Sequence, residues 1–502
     1  MNRILLATIN ARYIHASLGM RYLLANMGPL QDETMLLEFT IKQRPIEIAE
    51  QLLAEEPTII GLGVYIWNAR ESEELVAILK TLRPEITIIL GGPEVSYEHD
   101  QQAIVTLADY VITGQGDLAF AALCERLLSG ERPAEKVITP APFKLEELQL
   151  PYQHFSDEDL RQRTIYVEAS RGCPFKCEFC LSALDKTALP FNQDRFLNEM
   201  DALYQRGLRR FKFVDRSFNL KPAQSQRILE FFLDRLDDDL FLHFELIPDH
   251  LPESLRVIIQ RFPPGTLQFE IGVQTFDPEV QALISRKQEN AKSESNLRWL
   301  REKSHAHLHA DLIIGLPGED MAGFGAGFDR LVALAPHEIQ VGILKRLRGV
   351  PISRHTETFG LRFQPTPPYN ILQTDRITFN EMQRLSRFAR YWDLIANNGR
   401  FPASLPLILA DAPFHRFLQL SDWLYAQTGQ THRIQLPRLF SLLHQGMIEL
   451  PGIAATDATA VLESDFTLSG QKGVPTFTRK SSREKVVSKG PHRQQRHRNI
   501  AD

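Results

Sequence analysis

Three of the chain's four cysteines, Cys173, Cys177 and Cys180, fall in one short stretch. Their spacing, Cys-x-x-x-Cys-x-x-Cys, constrains the fold more than any other feature. The trio follows an apolar, β-prone run over residues 164–168, so the thiols sit on a loop just past a strand end. Thiolates are soft, strongly donating ligands that hold iron–sulfur clusters or zinc. A four-iron cluster ordinarily takes four thiolates. This loop offers three and Cys124 lies far away in sequence, which leaves one iron open to a non-protein ligand. The other reading is a structural zinc held by three cysteines and a histidine. Such sites pair their ligands as two short hooks, and no His or Cys stands at hook spacing from this trio.

Ahead of the cysteines, short apolar strands alternate with helices. The strands fall at residues 4–9, 35–39, 58–65, 86–90 and 110–113, a pattern that argues for a parallel sheet covered on both faces. Ligands on such sheets bind beyond the carboxyl ends of the strands. Those ends carry Asn10, His15, Ser17 and Gly19 after the first strand and Tyr65, Trp67 and Asn68 after the third. Gly91, Gly92 and Pro93 follow the fourth, and Gly114, Gln115 and Gly116 the fifth. Glycines let a bulky ligand approach the backbone, but the early Gly-x-Gly-x-x-Gly turn of a dinucleotide domain is missing. Cys124, set among Ala121, Ala122 and Leu123, reads as helix packing.

This Rossmann-like domain is assigned residues 1–134. Prolines and the acidic run 156–159 mark residues 135–163 as a linker draped over the surface. Residues 164–366 hold six strand–helix units, with strands at 164–168, 210–214, 241–245, 266–274, 307–314 and 338–344. They predict a partial (β/α)6 barrel with its chemistry at the strands' carboxyl ends. Asp194 is placed to cap a helix running to about Arg206. Residues 367–470 turn helical, at 379–394, 414–429 and 436–445, and form a small helical domain. Residues 471–502 are rich in Lys, Arg, Ser, Gln and His and read as a basic, disordered tail.

The cysteine stretch resembles the cluster loop of radical S-adenosylmethionine (SAM) enzymes. In that family the open iron of a [4Fe–4S] cluster is chelated by the amino and carboxylate groups of SAM. The resemblance implies reductive cleavage of SAM to methionine and a 5′-deoxyadenosyl radical, with an electron donor such as flavodoxin or ferredoxin. It places Phe179 near the adenine. Gln274 with Arg286 resembles the fourth-strand segment that contacts the ribose and carboxylate of SAM. The segment opening at Ile313 resembles the fifth-strand cover of the adenine, with Asp311 replacing the usual glycine. Asp215 and Arg216 resemble the second-strand region near the SAM amino group and the substrate, and Glu245 a polar SAM contact that ends the third strand.

The N-terminal domain, placed before this loop, resembles the cobalamin-binding domain of B12-dependent radical SAM proteins. Its strand-end residues from Asn10 to Gly116 named above become the cobalamin-binding candidates. The sequence departs from the Asp-x-His-x-x-Gly motif of cobalamin mutases, with Tyr13 and Leu18 where Asp and Gly would stand. No histidine lower ligand is therefore expected. The implied reaction is methylation at an unreactive carbon, with cobalamin as the methyl carrier.

With 43% hydrophobic and 24% charged residues the chain has ample core, and a net charge of −5 exerts no global pull on nucleic acid or anionic lipid. No apolar run reaches about 18 residues, so no membrane-spanning helix is expected. The opening residues lack a signal-cleavage pattern, and a labile cluster fits a reducing cytoplasm. Three alternatives stand beside this reading. A methylthiotransferase would need three cysteines in the N-terminal domain, which has one. A porphyrin-type radical SAM oxidase would use that domain as a scaffold. A metal-bearing RNA-binding protein would use the basic tail, although a solvated tail is the default. No pattern in the helical C-terminal portion ties it to a substrate.

Overall fold

A computed structural model describes residues 3–471, Pro475 and Phe477. Strand β1 (Ile4–Asn10) buries all seven of its residues, as a central strand covered on both faces must. With β2 (Thr34–Thr40), β3 (Ile59–Gly63), β4 (Thr87–Gly91), β5 (Tyr110–Ile112) and β6 (Val137–Ile138) it forms a sheet in the order β2-β1-β3-β4-β5-β6. Every pairing is parallel, from Ile4 opposite both Thr34 and Ile59 to Val111 opposite Val137. The chain leaves β1 for one side and resumes at β3 on the other, which opens a crevice at the carboxyl ends. Cys124 is buried against this sheet, as its apolar neighbours predict.

A second parallel sheet follows. The chain runs through β7 (Ile165–Val167), β8 (Ser170–Arg171), β9 (Leu189–Pro190), β10 (Arg210–Phe213), β11 (Phe241–Leu246), β12 (Leu267–Gln274), β13 (His307–Ile314) and β14 (Glu338–Ile343). The sheet order is β14-β13-β12-β11-β10-β7, so β7 and β14 are its edges and the barrel is open, as the sequence predicts. Strict alternation along β12 buries Leu267, Phe269, Ile271 and Val273 on one face and gives Gln268, Glu270, Gly272 and Gln274 to the other. β8 and β9 form a short antiparallel pair that closes the base of the cysteine loop.

Three expectations need correction. The linker is not merely draped over the surface: it supplies β6, and its Leu148, Leu150, Tyr152 and Phe155 are buried in the barrel's core. Asp194 does not cap its helix; Asn192 does, accepting from the Arg195 N–H at 3.0 Å, and Asp194 pairs with Arg227. The C-terminal helices share their core with the barrel. Phe324 and Phe328, on the helix Met321–Ala333, pack with Phe388, Trp392 and Phe414 of the C-terminal helices, and Phe417 packs behind Phe388 and Trp392. The tail assigned to residues 471–502 lies, but for Gln471, Pro475 and Phe477, outside the described residues. No helix among the described residues is long and apolar enough to cross a membrane.

Candidate functional site

Cys173, Cys177 and Cys180 line one cavity of about 230 Å³ at the carboxyl ends of the barrel strands, together with Phe179, Arg216, Glu245, Gln274 and Arg286. The loop can turn there because Gly172 has φ +85°; a Cβ on it would stand 2.6 Å from Thr187 Oγ1 and 2.9 Å from the Ala188 amide nitrogen. Arg286 brings Nη1 to 3.6 Å from Cys177 Sγ and donates from Nη2 to the Gly272 carbonyl. Gln274 sits at φ +70° beyond a register shift in β12, a strained conformation of the kind that collects at binding sites. Arg216 Nη1 lies 2.6 Å from Glu245 Oε1. Burial pushes the Cys173 and Cys177 thiols up, and the Arg286 guanidinium pulls Cys177 back down.

Two of the sequence-derived SAM residues are absent from this cavity. Asp215 is buried behind it, where Oδ1 accepts from Ser170 Oγ at 2.6 Å and Oδ2 from the Ala169 N–H at 3.0 Å. Burial pushes its carboxyl to about 6 against those bonds. It braces the strand that enters the cysteine loop. Ile313 packs against the main core.

A larger cavity of about 470 Å³ opens at the carboxyl ends of β3, β4 and β5. Gly19, Tyr65, Gly91, Gly92, Pro93, Gly114, Gln115 and Gly116 line it. Gly92, at φ +106°, passes so close to Val64 that a Cβ would stand 2.5 Å from its carbonyl oxygen. Around Gly114 nothing lies within 4 Å of the Cβ position, so that floor is open.

The other five candidates of this set support the edge without lining the cavity. Ser17 caps the helix Leu18–Ala25, accepting from the Met20 N–H at 3.3 Å. Asn68 is fully buried and closes the turn after β3, bonding the Tyr65 N–H at 2.7 Å and the Ile9 and Gly63 carbonyls at 2.9 and 3.0 Å. Asn10 donates to Glu38 at 3.0 Å. Trp67 stacks on Tyr65 with ring centroids 4.5 Å apart. His15 Nδ1 lies 2.8 Å from the Tyr166 hydroxyl, and burial lowers its pKa.

The far wall of the larger cavity is the base of the cysteine loop, contributed by Glu168, Ser170, Arg171 and Gly172. Arg171 grips Asp117 through two bonds of 2.9 and 3.1 Å and, through Nε, both carboxylate oxygens of Glu168 at 3.0 and 3.2 Å. Burial outweighs that guanidinium and pushes the Glu168 carboxyl to about 7. Arg216 lines both cavities.

Family comparisons divide the chain along the same lines. The B12 binding domain model matches residues 4–124 and the Radical SAM superfamily model matches residues 167–329. This chain is a radical SAM protein with a B12-binding domain. A third model, described as a protein of unknown function (DUF4080), matches residues 357–501.

Among curated relatives of this radical SAM protein, the cobalamin-dependent radical SAM methyltransferase TokK of Streptomyces tokunonensis is 24% identical over 381 residues, 68% of this chain and 55% of its own. The 2-(S-pantetheinyl)-carbapenam-3-carboxylate methyltransferase of Streptantibioticus cattleyicolor is 25% identical over 359 residues, 62% of this chain and 51% of its own. The chain thus spans about half the length of these curated relatives. The radical SAM methyltransferase TsrM of Kitasatospora setae, solved with tryptophan and a SAM analogue, shares the fold. Its TM-score is 0.60 at 15% identity, over 93% of this chain and 99% of that one.

The residues present fit the cofactors of the superfamily and of the B12-binding domain. Three thiols share a cavity while Cys124 is buried in the other domain's core, so the donor set suits a cluster with one open iron. SAM is zwitterionic and carries a sulfonium, and carboxylates with a guanidinium line the same space. The open glycine floor suits the broad face of a corrin, and no histidine stands among the residues lining that cavity.

Sequence reasoning missed several residues here. Glu270 lines the thiol cavity, its carboxyl held near 2 because His243 and Lys212 outweigh burial. Asp311, noted only as a departure from motif, lines it too, and burial pushes its carboxyl well up. The period-2 pattern of β12 and β13 assigns both to the concave face and could have found them. Glu178, inside the cysteine motif itself, is buried and bonds Ser285 Oγ at 2.6 Å and Arg354 Nε at 2.8 Å. No local signal marks it.

Proposed function

We propose that this chain is a cobalamin-dependent radical SAM methyltransferase that acts on an unreactive carbon. The observation that carries the reading is the shared wall: the thiol cavity and the glycine-floored cavity meet at the cysteine loop, and Arg216 faces both. Two relatives that are methyltransferases by name add support. Cys173, Cys177 and Cys180 hold the cluster. Arg286, Gln274, Glu245 and Arg216 bind and orient SAM, and Phe179 lies against its adenine. Gly19, Tyr65, Gly91, Gly92, Pro93 and residues 114–116 bed the corrin. Bound together, these cofactors supply a 5′-deoxyadenosyl radical and a transferable methyl group.

Asp215, Glu168 and Arg171 brace the loop between the two cavities. Residues 164–366 carry the thiol cavity and supply the far wall of the cavity that residues 1–134 floor; residues 135–163 join the two and the helices of 367–470 back the barrel. The reductant that radical SAM chemistry requires is a small flavin or iron–sulfur protein such as flavodoxin or ferredoxin, and the protein works in the cytoplasm, where such donors and reduced thiols occur.

The deciding experiment is anaerobic reconstitution with iron, sulfide and hydroxocobalamin, followed by desalting and absorption spectroscopy. Near-stoichiometric cobalamin beside an intact cluster, with SAM cleaved to 5′-deoxyadenosine under reduction, is the expected result. An intact cluster with no retained cobalamin would replace this reading with a B12-independent radical SAM oxidoreductase.

A further inference from the structure

Beyond β14 the chain runs past both cavities before it turns into the C-terminal helices. Within residues 346–355 it is anchored twice, each time on a carboxylate next to residues that line a cavity. The first anchor is on the N-terminal domain. Arg348 Nε and Nη1 lie 2.9 Å from Glu94 Oε1 and Glu98 Oε2, and Arg346 Nη2 lies 2.8 Å from Glu98 Oε1. Glu94 directly follows Gly91, Gly92 and Pro93. Gly349, at φ +81°, lies flush on the ring of Tyr97, which itself lines the larger cavity; a Cβ there would be 2.4 Å from the ring.

The second anchor is on the cysteine loop. The Ile352 N–H donates to the Glu178 carbonyl at 3.0 Å, and Arg354 Nε and His355 Nε2 lie 2.8 and 3.0 Å from Glu178 Oε2. Glu178 stands between Cys177 and Phe179. Its own N–H donates to the Ile284 carbonyl at 3.1 Å and its Oε1 accepts from Ser285 Oγ at 2.6 Å, which ties the same residue to the neighbour of Arg286. The carboxylates of Glu94 and Glu178 are each only 5% exposed. The Arg348–Glu94 pair is buried, whereas Arg354, 60% exposed, closes buried Glu178 from the solvent side; a buried carboxylate held this way gains little net stability but fixes register, because any other arrangement strands its charge. Two such anchors on one short segment specify the offset between the loops they hold.

We propose that residues 346–355 form a positioning strap that sets the glycine loop of the B12-binding domain against the cysteine loop, with Arg348 and Arg354 as its working ends. The proposal rests on the reading above that the two cavities hold cobalamin and the cluster with SAM. Neither arginine touches a cofactor cavity's reacting groups; each acts through the carboxylate it holds. The strap therefore predicts effects that cross from one cavity to the other.

The test uses the full chain reconstituted with iron, sulfide and hydroxocobalamin, in wild-type, Arg354→Gln and Arg348→Gln forms. Arg354→Gln loosens the anchor at the cysteine loop by taking the guanidinium from Glu178, and release of hydroxocobalamin from the distant cavity is expected to quicken by about threefold or more. Arg348→Gln loosens the anchor at the glycine loop, leaving Arg346 on Glu98, and the electron paramagnetic resonance signal of the reduced cluster with SAM is expected to shift while iron content stays at the wild-type level. Should Arg348→Gln fail to fold, Arg346→Gln, which releases only Glu98, takes its place. Wild-type retention of both cofactors with effects confined to each variant's own side would overturn the strap and leave the functional reading intact. A wild-type chain that retains no cobalamin would overturn the reading on which the strap rests.

Discussion

A side chain at Gly91 would meet only the Ile112 carbonyl within 4 Å, at 3.8 Å, so it would project into the larger cavity without disturbing β4. Gly91→Val is expected to fold normally and to weaken cobalamin retention by about tenfold or more, while iron per chain stays unchanged. Absorption and iron assays on the desalted protein check both halves. Glu319 offers a different single-residue test. It is 3% exposed, its Oε1 accepts from Thr275 Oγ1 at 2.7 Å, and burial pushes its carboxyl to about 8. The folded chain thus keeps a proton that the unfolded chain has released above the ordinary carboxylate range. Stability from this group is full below the ordinary value of 4.5 and is lost as pH rises through about 8. Glu319→Gln, neutral at every pH, should gain on wild type between pH 5 and 8 by on the order of 1–3 kcal/mol. Denaturant melts at the two pH values measure it, and an unchanged difference would count against a buried protonated carboxyl.

At the scale of elements, β14 is an edge strand, and one residue pairs the outward backbone groups of Ile339. Asn397 accepts from the Ile339 N–H at 3.1 Å and donates to the Ile339 carbonyl at 3.0 Å. Asn397→Ala strands both groups beside a buried Ile339, and a loss of about 1–3 kcal/mol in urea unfolding is expected. The strands themselves were legible. β1, β3 and β4 are largely apolar runs, and the burial of β12 and β13 alternates residue by residue. β6 was not, because two residues carry no period, and its strand state comes from pairing with β5. The buried apolar residues of the linker lie among prolines at irregular spacing, so only the tertiary packing fixes their place. At the site, the position of Gln274, Glu245 and Arg286 beside the thiols was legible because motif and strand end coincide. Ser17, Asn68 and Asp215 do not line the cavities expected of them, for one reason: a polar residue at a strand's carboxyl end looks the same in sequence whether it faces a cavity or caps the backbone. Their hydrogen bonds go to Met20, to Ile9 and Gly63, and to Ser170.

For the whole molecule, the barrel and the C-terminal helices form one core, and the two cavities face each other across Arg171 and Arg216. A chain truncated ahead of Phe379 would strip Phe388, Trp392 and Phe414 from Phe324 and Phe328. Such a chain is expected to aggregate on expression, and recovery of a soluble, cooperatively melting fragment would show that the helices are a separable module. The linker's divided allegiance also bears on how the molecule is made. β6 completes the N-terminal sheet as soon as residue 138 has cleared the ribosome, yet Leu148, Leu150, Tyr152 and Phe155 belong to a core whose strands β10 and β11 are synthesised later. At about 5–20 residues per second those apolar side chains wait for several seconds beside a finished first domain. That interval is when the nascent chain most needs a chaperone, and slowing translation over residues 156–246 lengthens it.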